Sequence, residues 1–519
     1  MGEDRRAWWS AAAVAGAAAG FALPPLGAPW LLWPALALLW ALPRSPLGWR
    51  GGLAWGGMAV LVSHRWLLWL HPLDWIGVPL PLSLPICLLL WGLCGAAAAL
   101  LVALWLSAVQ RCERLWGPEA RGQRRAWVPS LPTAVLMACL WGLGEGLLAR
   151  GPLFWIGLGA SALPGDPPLA AWARLGGAPL IAALQLLIGW LLLRCLRLDG
   201  RRRAPALLAA AVLLVLVHLG GYALLAGSEG APEATTQVLV VQPAIPTREK
   251  FQWPQQRLLL QRLAGAQRLA ASARQAGEPL EAVLLPEGAL PLDQPLPEPA
   301  EVELLSGGFR RQEQEVRSSL LRFAPGDQAE PSGWIDKSRL VPLGEWVPLA
   351  SLWRWGGLSA VGGVEPGSPS RLLTRPQAPV GVAICYEIAD GAGQRQAVRQ
   401  GASWLLASAN LDPYPLQLQR QFQALARLRA LETGRWLVSS ANTGPSLVVD
   451  QRGRLRGSLP PGRPATALLP LELHRPLTPY GRWGDGPLIA VAVAAAGWGW
   501  CRRRPASGEA SGTRSPQEG

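Results

Sequence analysis

From Ala7 to Pro43 the chain carries no charged side chain, and no other feature constrains its fold more. A hydrocarbon layer about 30 Å thick is crossed by about 20 helical residues, so a run of this kind reads as membrane-spanning. Pro24-Pro25-Leu26-Gly27-Ala28-Pro29 breaks it into two helices, each slightly short. The start at Arg5/Arg6 would also suit a signal peptide, but a second apolar run follows at once with no small-residue cleavage site between them. Gly51 to Leu70, Pro79 to Gln110, Ser130 to Ala149, Leu175 to Leu193 and Ala204 to Gly227 continue the pattern, giving seven spans. An eighth, Gly486 to Cys501, lies near the end.

Arginines order these spans. Arg5/Arg6, Arg44/Arg50, Arg111/Arg114/Arg121/Arg124/Arg125, Arg194/Arg197/Arg201/Arg202/Arg203 and Arg502/Arg503/Arg504 occupy every second connection, which the positive-inside rule places in the cytoplasm. The intervening connections are poor in basic residues: Pro24 to Pro29 has none, and His71 to Val78 has only Asp74. An odd number of spans then puts residues 229–485 outside the cytoplasm and returns the tail, 502–519, inside as a disordered segment. Of the net charge of +14, most lies in the first half, where 17 basic and 8 acidic residues precede position 228. Charge clustered between apolar segments speaks for membrane topology and against nucleic acid as a partner. Arg65 and Glu145 stand inside apolar runs, where an ionisable group is costly and is expected to face a cavity or a partner unless it snorkels to the interface. The 28 tryptophans, 18 of them before residue 200, suit headgroup-level belts and packing between helices.

The block from 229 to 485 reads differently. Gln237–Gln242, Ala282–Pro286, Val302–Leu305, Arg317–Phe323, Val380–Ile384, Ser403–Ala407, Trp436–Ser440, Ser446–Asp450 and Thr466–Leu473 are expected strands, and Gln255–Gln275 and Leu416–Glu432 amphipathic helices. Buried-type strands alternating with helices indicate a layered α/β domain, large enough to hold its own core. Reactive groups in such folds collect beyond the carboxyl ends of strands. Two expected strands end in candidates, Leu284-Leu-Pro-Glu287 and Ala383-Ile-Cys385-Tyr-Glu387.

Cys385 is the only cysteine in this block, so it has no disulfide partner there and no second thiolate for zinc. A lone cysteine is usually a buried structural thiol, but a strand end suits an exposed nucleophile. The block holds one histidine, His474 at its far edge, which argues against a Cys-His pair. Lysine is the alternative. Only Lys250 and Lys337 occur among 48 basic residues, and Lys337 lies in a segment rich in turn and apolar residues. An ammonium there lowers a thiol's pKa or holds an oxyanion. Glu287 is the best-placed carboxylate to take a proton, and partial burial is expected to raise its pKa toward the range where it can accept and return one.

Leu285-Pro-Glu287, Lys337 followed by Leu340-Val-Pro-Leu-Gly-Glu-Trp-Val-Pro348, and Ile384-Cys-Tyr-Glu-Ile388 resemble the Glu-Lys-Cys signature of the nitrilase superfamily. The Val-Pro-x-Gly-Glu-x-Val-Pro and Ile-Cys-Tyr-Glu elements are similar to its apolipoprotein N-acyltransferase branch, as are Gln421 to Arg435, Asn442-Thr-Gly444 and the arrangement of seven spans before the domain and one after. Two departures stand out: Ala409-Asn410-Leu-Asp412-Pro-Tyr-Pro415 replaces the family's Ser-Asn-Asp and aromatic loop, and Arg420 or Gln421 stands where a histidine is frequent.

The resemblance implies a polytopic α-helical membrane region of about eight spans joined to an α/β nitrilase-like αββα sandwich. The implied division is 1–228 membrane, 229–485 catalytic, 486–501 transmembrane and 502–519 tail. It implies acyl transfer from a membrane phospholipid, through a Cys385 thioester, to the α-amino group of an S-diacylglyceryl cysteine at the start of an apolipoprotein. Glu287 would be the general base and Lys337 the oxyanion-stabilising cation. Glu345, Glu387, Tyr386, Trp253 as a lid aromatic, and Asn410 would support them. No cofactor or metal is implied. The implied location is the cell inner membrane, with the catalytic domain periplasmic. A membrane-anchored nitrilase-type amidase acting on a small substrate, and a polytopic binding or transport protein in which Cys385 is inert, are the alternatives.

Overall fold

Helices stand at all eight places where the sequence is apolar, but they differ in length. The structure, a computed structural model, describes residues 2–74, 78–116, 128–198, 200–227, 230–250, 252–342, 345, 363–412 and 414–502. The membrane region contains α1 (Gly2–Ala22), α2 (Pro29–Ala41), α3 (Gly51–Ser63), α4 (Leu80–Trp116), α5 (Leu131–Leu148), the short α6 (Pro167–Ala170), α7 (Ala173–Arg197) and α8 (Gly200–Ala226). Among the described residues, α4, α5, α7 and α8 are long and apolar enough to cross a membrane, and the last helix, Gly486–Cys501, is apolar but shorter. At about 1.5 Å per residue, α2 and α3, 13 residues each, rise only about 20 Å.

The expected third span, Gly51 to Leu70, needs correction. Its α-helix stops at Ser63, and Arg65–Leu70 forms a 3-10 helix. Ser63 Oγ and His64 Nδ1 lie 2.9 Å apart, and the freed Ser63 carbonyl accepts from Gln417 Nε2 at 2.8 Å and Gln421 Nε2 at 3.0 Å. Polar side chains from the α/β region thus satisfy a helix end that would otherwise leave bare carbonyls. The expectation of a disordered tail falls almost wholly outside the described residues, as do 343–344 and 346–348 of the motif after Lys337 and the 228–229 boundary.

The α/β region is two stacked six-stranded sheets, ordered β12-β1-β2-β3-β4-β5 and β11-β10-β9-β8-β7-β6. The first contains β1 (Ala234–Gln242), β2 (Leu280–Leu290), β3 (Leu304–Gln312), β4 (Glu315–Phe323), β5 (Gly333–Asp336) and β12 (Ala465–Leu473). The second contains β6 (Leu372–Leu373), β7 (Val380–Ile384), β8 (Trp404–Ala409), β9 (Leu437–Ala441), β10 (Leu447–Val449) and β11 (Leu455–Ser458). Alternation of side chains across each strand makes two faces. Val238, Val240, Leu284, Leu305 and Leu320 meet Val382, Ile384, Trp404, Leu406 and Val438 between the sheets. On the outer face of the first sheet, Val241, Val283 and Leu285 pack on Leu259, Leu263 and Ala266 of α9 (Trp253–Gln275). On the outer face of the second, Leu405, Ala407 and Leu437 pack on α10 (Gly391–Arg399) and α11 (Leu416–Thr433). Helix, sheet, sheet, helix is the αββα sandwich. The chain then passes through α12 (Pro479–Trp483) to α13 (Gly486–Cys501).

Two strand expectations move. The strand expected to end at Pro286 runs on to Leu290, and the strand expected at Val302–Leu305 extends to Gln312 as one arm of a hairpin with β4. The short or edge strands β5, β6 and β11, and helix α10, went unread.

Candidate functional site

Glu287 does not follow a strand but interrupts one. Parallel pairing of β2 with β3 holds as far as Leu285 opposite Ser306, then jumps to Leu290 opposite Gly308. The residues between form a bulge with Gly288 at φ +59°, a left-handed value that suits glycine, and a bulge re-aims its side chains. Lys337 follows β5, its backbone N–H donating to Ser318 O at 2.8 Å. Its side chain is 1% exposed, with Nζ 2.7 Å from Glu287 Oε1 and 2.8 Å from Glu345 Oε1. Cys385 follows β7 at φ +54°, a strained value for a residue with a Cβ, in a turn of the kind that concentrates at functional sites. Glu287, Lys337 and Glu345 all act electrostatically on its thiol. The Asn410 backbone N–H, after β8, donates to Glu287 Oε2 at 2.9 Å. The three residues of the Glu-Lys-Cys signature, and Asn410, therefore meet where the two sheets present strand ends to each other.

Burial and charge compete at each group. The raised pKa expected for Glu287 is corrected: burial does push it up, but Lys337 and the Asn410 N–H overcome that and hold the carboxyl below the usual carboxylate range. Glu345 shares the same ammonium, yet its burial and the neighbouring Glu287 charge leave its pKa raised. Burial disfavours the charged lysine, but Glu287 and Glu345 outweigh it and fix Lys337 as a cation. Burial, reinforced by Glu287, pushes the Cys385 thiol well up despite Lys337. The resting state is a thiol facing a carboxylate, with a cation beside both. A thiol so placed can give up its proton to a carboxylate as it attacks, and a cation beside it can answer the negative charge that develops.

The remaining expected residues divide clearly. Glu387, buried at 2% exposure, accepts from the backbone N–H groups of Ile384, Ser338 and Arg339 at 2.9, 2.8 and 3.1 Å and from Arg371 Nη1 at 2.8 Å. One carboxylate thereby fastens the Cys385 turn to the segment carrying Lys337. The Tyr386 hydroxyl lies 2.6 Å from Leu340 O and 3.2 Å from Pro152 O. Arg339 stacks over the Tyr386 ring at 4.9 Å and donates to Ala149 O and Gly151 O, beyond the end of α5. Trp253 is not drawn into this network; it opens α9 and is 70% exposed. His474 sits 3.2 Å from Glu472 Oε2. In the membrane region, Glu145 accepts from Trp141 Nε1 at 2.9 Å and Leu158 N at 3.0 Å, while Arg65 donates to Val62 O and lies over Phe21.

Several participants were not anticipated. The Asn410 side chain donates to Thr247 Oγ1 and accepts from Asn442 Nδ2, both at 3.0 Å, and Asp412 takes the Thr247 N–H at 2.7 Å. The displaced acid of the altered loop thus grips the segment before α9. Tyr414 leans edge-on against Trp66 at 5.7 Å, Trp66 against Phe154 at 5.8 Å, and Phe154 stacks on Phe422 at 5.5 Å. This aromatic seam joins the site's loop to the membrane region. Lys250 lies against the Glu287 backbone, and its rarity in the sequence was a signal that pointed to both lysines and was followed to only one.

Residues 307–475 match the carbon-nitrogen hydrolase family. Apolipoprotein N-acyltransferase of Prochlorococcus marinus (strain MIT 9313) is 48% identical over 97% of this chain and 98% of its own length. That of Parasynechococcus marenigrum (strain WH8102) is 45% identical over 93% and 98%. Among solved structures, Saccharomyces cerevisiae Nit3, of the nitrilase superfamily, aligns with a TM-score of 0.35 and 16% identity, covering 48% of this chain and 93% of that one. With relatives this similar along nearly their entire length, the chain belongs to the apolipoprotein N-acyltransferase family.

Proposed function

We propose that this enzyme performs the transfer for which its family is named, moving a fatty acyl chain from a membrane phospholipid to the N-terminus of an apolipoprotein. The observation that carries the reading is the convergence of Cys385, Glu287 and Lys337, with the lysine ammonium 2.7 Å from the Glu287 carboxylate and both charges acting on the Cys385 thiol. Cys385 sulfur attacks the ester carbonyl as its proton passes to Glu287, and Lys337 faces the oxyanion. The tetrahedral adduct collapses, the carbon–oxygen bond breaks, and Glu287 protonates the departing lysophospholipid. The α-amino group of an S-diacylglyceryl cysteine then attacks the thioester. Glu287 takes its proton, the carbon–sulfur bond breaks and the thiol is restored. A thioester reacts with amines without further activation, so keeping water away decides the yield. Glu345, Glu387, Tyr386 and Asn410 hold the three reacting groups in place, and Trp253 is an exposed aromatic suited to a lid.

Both substrates are lipids, which accounts for an acyl-transfer site seated on apolar helices. The reading divides the chain into a membrane region (1–228), a catalytic domain (229–485), a closing span (486–501) and a tail (502–519). The alternation of arginine-rich connections supports a multi-pass inner-membrane protein with the catalytic domain periplasmic and the tail cytoplasmic. The test is mass spectrometry of the full-length protein incubated with a single phospholipid. One acyl adduct on Cys385, discharged by a diacylglyceryl-cysteine peptide, is expected. Release of ammonia from small amides without any adduct from phospholipid would instead favour an amidase.

A further inference from the structure

The chain spends lysine twice among 48 basic residues, and both stand against the same glutamate. Lys337 meets the Glu287 carboxylate; Lys250, 8% exposed, donates from Nζ to the Glu287 carbonyl at 3.2 Å. Its ammonium fills the space over Gly288, where a Cβ would come within 2.6 Å of Nζ. The segment carrying it is fixed from three sides. Thr247 is pinned to Asp412 and Asn410, Ile245 exchanges hydrogen bonds with Asn442, and Arg248 reaches Pro72 O at 3.1 Å in the membrane region. A surface arginine would serve general solubility as well; a buried lysine held this tightly against a bulge has a local task.

We propose that Lys250 is a positioning residue for the acyl transfer, clamping the β2 bulge from its backbone side so that the Glu287 carboxylate stays aimed at Cys385, and supplying a second positive charge to that residue. This inference rests on the function proposed above. Among the described residues, the groups facing Glu287 are Lys337 and Glu345 from the β5 side, Cys385 from β7, the Asn410 N–H and the Tyr414 side chain from the loop after β8, and Lys250 from before α9, with Asp412 acting on Lys250. Burial pushes Lys250 down to about 8, against the upward pull of Glu287 and Asp412, so below that pH it is charged. Its charge favours the ionised Glu287 carboxylate and adds to what lowers that group's pKa. Removing it must move the acid limb of the reaction, below which Glu287 is protonated and cannot accept, toward higher pH.

The experiment compares Lys250→Met and Lys250→Arg with the wild type as full-length protein, in mixed micelles with one synthetic diacyl glycerophospholipid. It follows the Cys385 adduct in single turnovers across pH and kcat and KM at steady state. For Lys250→Met, kcat about tenfold lower, KM for phospholipid unchanged and the acid limb raised by about one pH unit are expected, with Lys250→Arg keeping the wild-type limb. A Lys250→Met enzyme with wild-type kcat and limb overturns the proposal. So does a loss matched by a fall in melting temperature in both variants while the limb stays put, because that pattern is structural. A wild type that forms no Cys385 adduct defeats the acyl-transfer reading itself, a separate failure.

Discussion

Helices α9 and α11 cover the two outer faces of the same sandwich, yet they are built for different neighbours. In α9 a narrow stripe headed by Leu259, Leu263 and Ala266 is buried, and Arg268, Leu269 and Arg274 face outward. In α11 nearly every residue from Gln421 to Thr433 is buried, including Arg429 and Glu432, which pair at 2.9 Å. The first is an amphipathic cover with one wet side. The second is pressed between the β7-β8-β9 sheet and the membrane region, where Phe422 stacks on Phe154 and Gln417 and Gln421 cap α3. A layer that merely closes a free sandwich has become its seat, and Cys385 and Asn410 lie on the sheet that rests there.

This contrast predicts unequal responses. Cys385→Ala, on the seated sheet, removes the proposed nucleophile and is expected to abolish the acyl adduct and turnover while leaving the melting temperature near wild type; a surviving adduct would place the chemistry elsewhere. Arg339→Ala cuts the tie between the Tyr386 turn and the end of α5. A displacement of the reacting groups by about 1 Å costs about a hundredfold in rate, so single-turnover adduct formation should fall on that scale with little loss of stability. Phe422→Ala opens a cavity in the aromatic seam and should cost about 3 to 4 kcal/mol in denaturant unfolding, with activity falling too. Leu263→Ala on α9 should cost about 2 to 3 kcal/mol but leave kcat of the folded fraction unchanged. If the two core substitutions affect activity alike, the distinction between seat and cover fails. Arg268→Ala, on the wet side, should stay within about 0.5 kcal/mol.

Much of this was legible in the sequence where one physical signal dominates. Continuous β-branched and leucine runs located β1, β7 and β8, and helical spacing placed α9 and α11 to within two residues of their ends. The apolar runs located every long helix, but not where α3 stops. Ser63-His64-Arg65 looks like a minor polar interruption until Gln417 and Gln421 arrive from more than 350 residues away to cap it. Local pattern misled at β2, since Pro286 reads as a strand end but leads into a bulge at Gly288 within a longer strand. At the site, the family motifs brought forward Glu287, Lys337 and Cys385. Lys250 was visible as a rare residue type, but its role depends on a 3.2 Å approach to a backbone carbonyl, which spacing cannot encode.

The seat of the nucleophile turn has a further consequence, in the order in which the protein is made. Tyr386 and Arg339 rest on carbonyls of Ala149, Gly151 and Pro152, about two hundred positions earlier in the chain. Translation therefore delivers the anvil long before the hammer. When Cys385 emerges, the residues on which its turn rests have already been made, and the proposed active centre is among the last pieces of geometry to be completed.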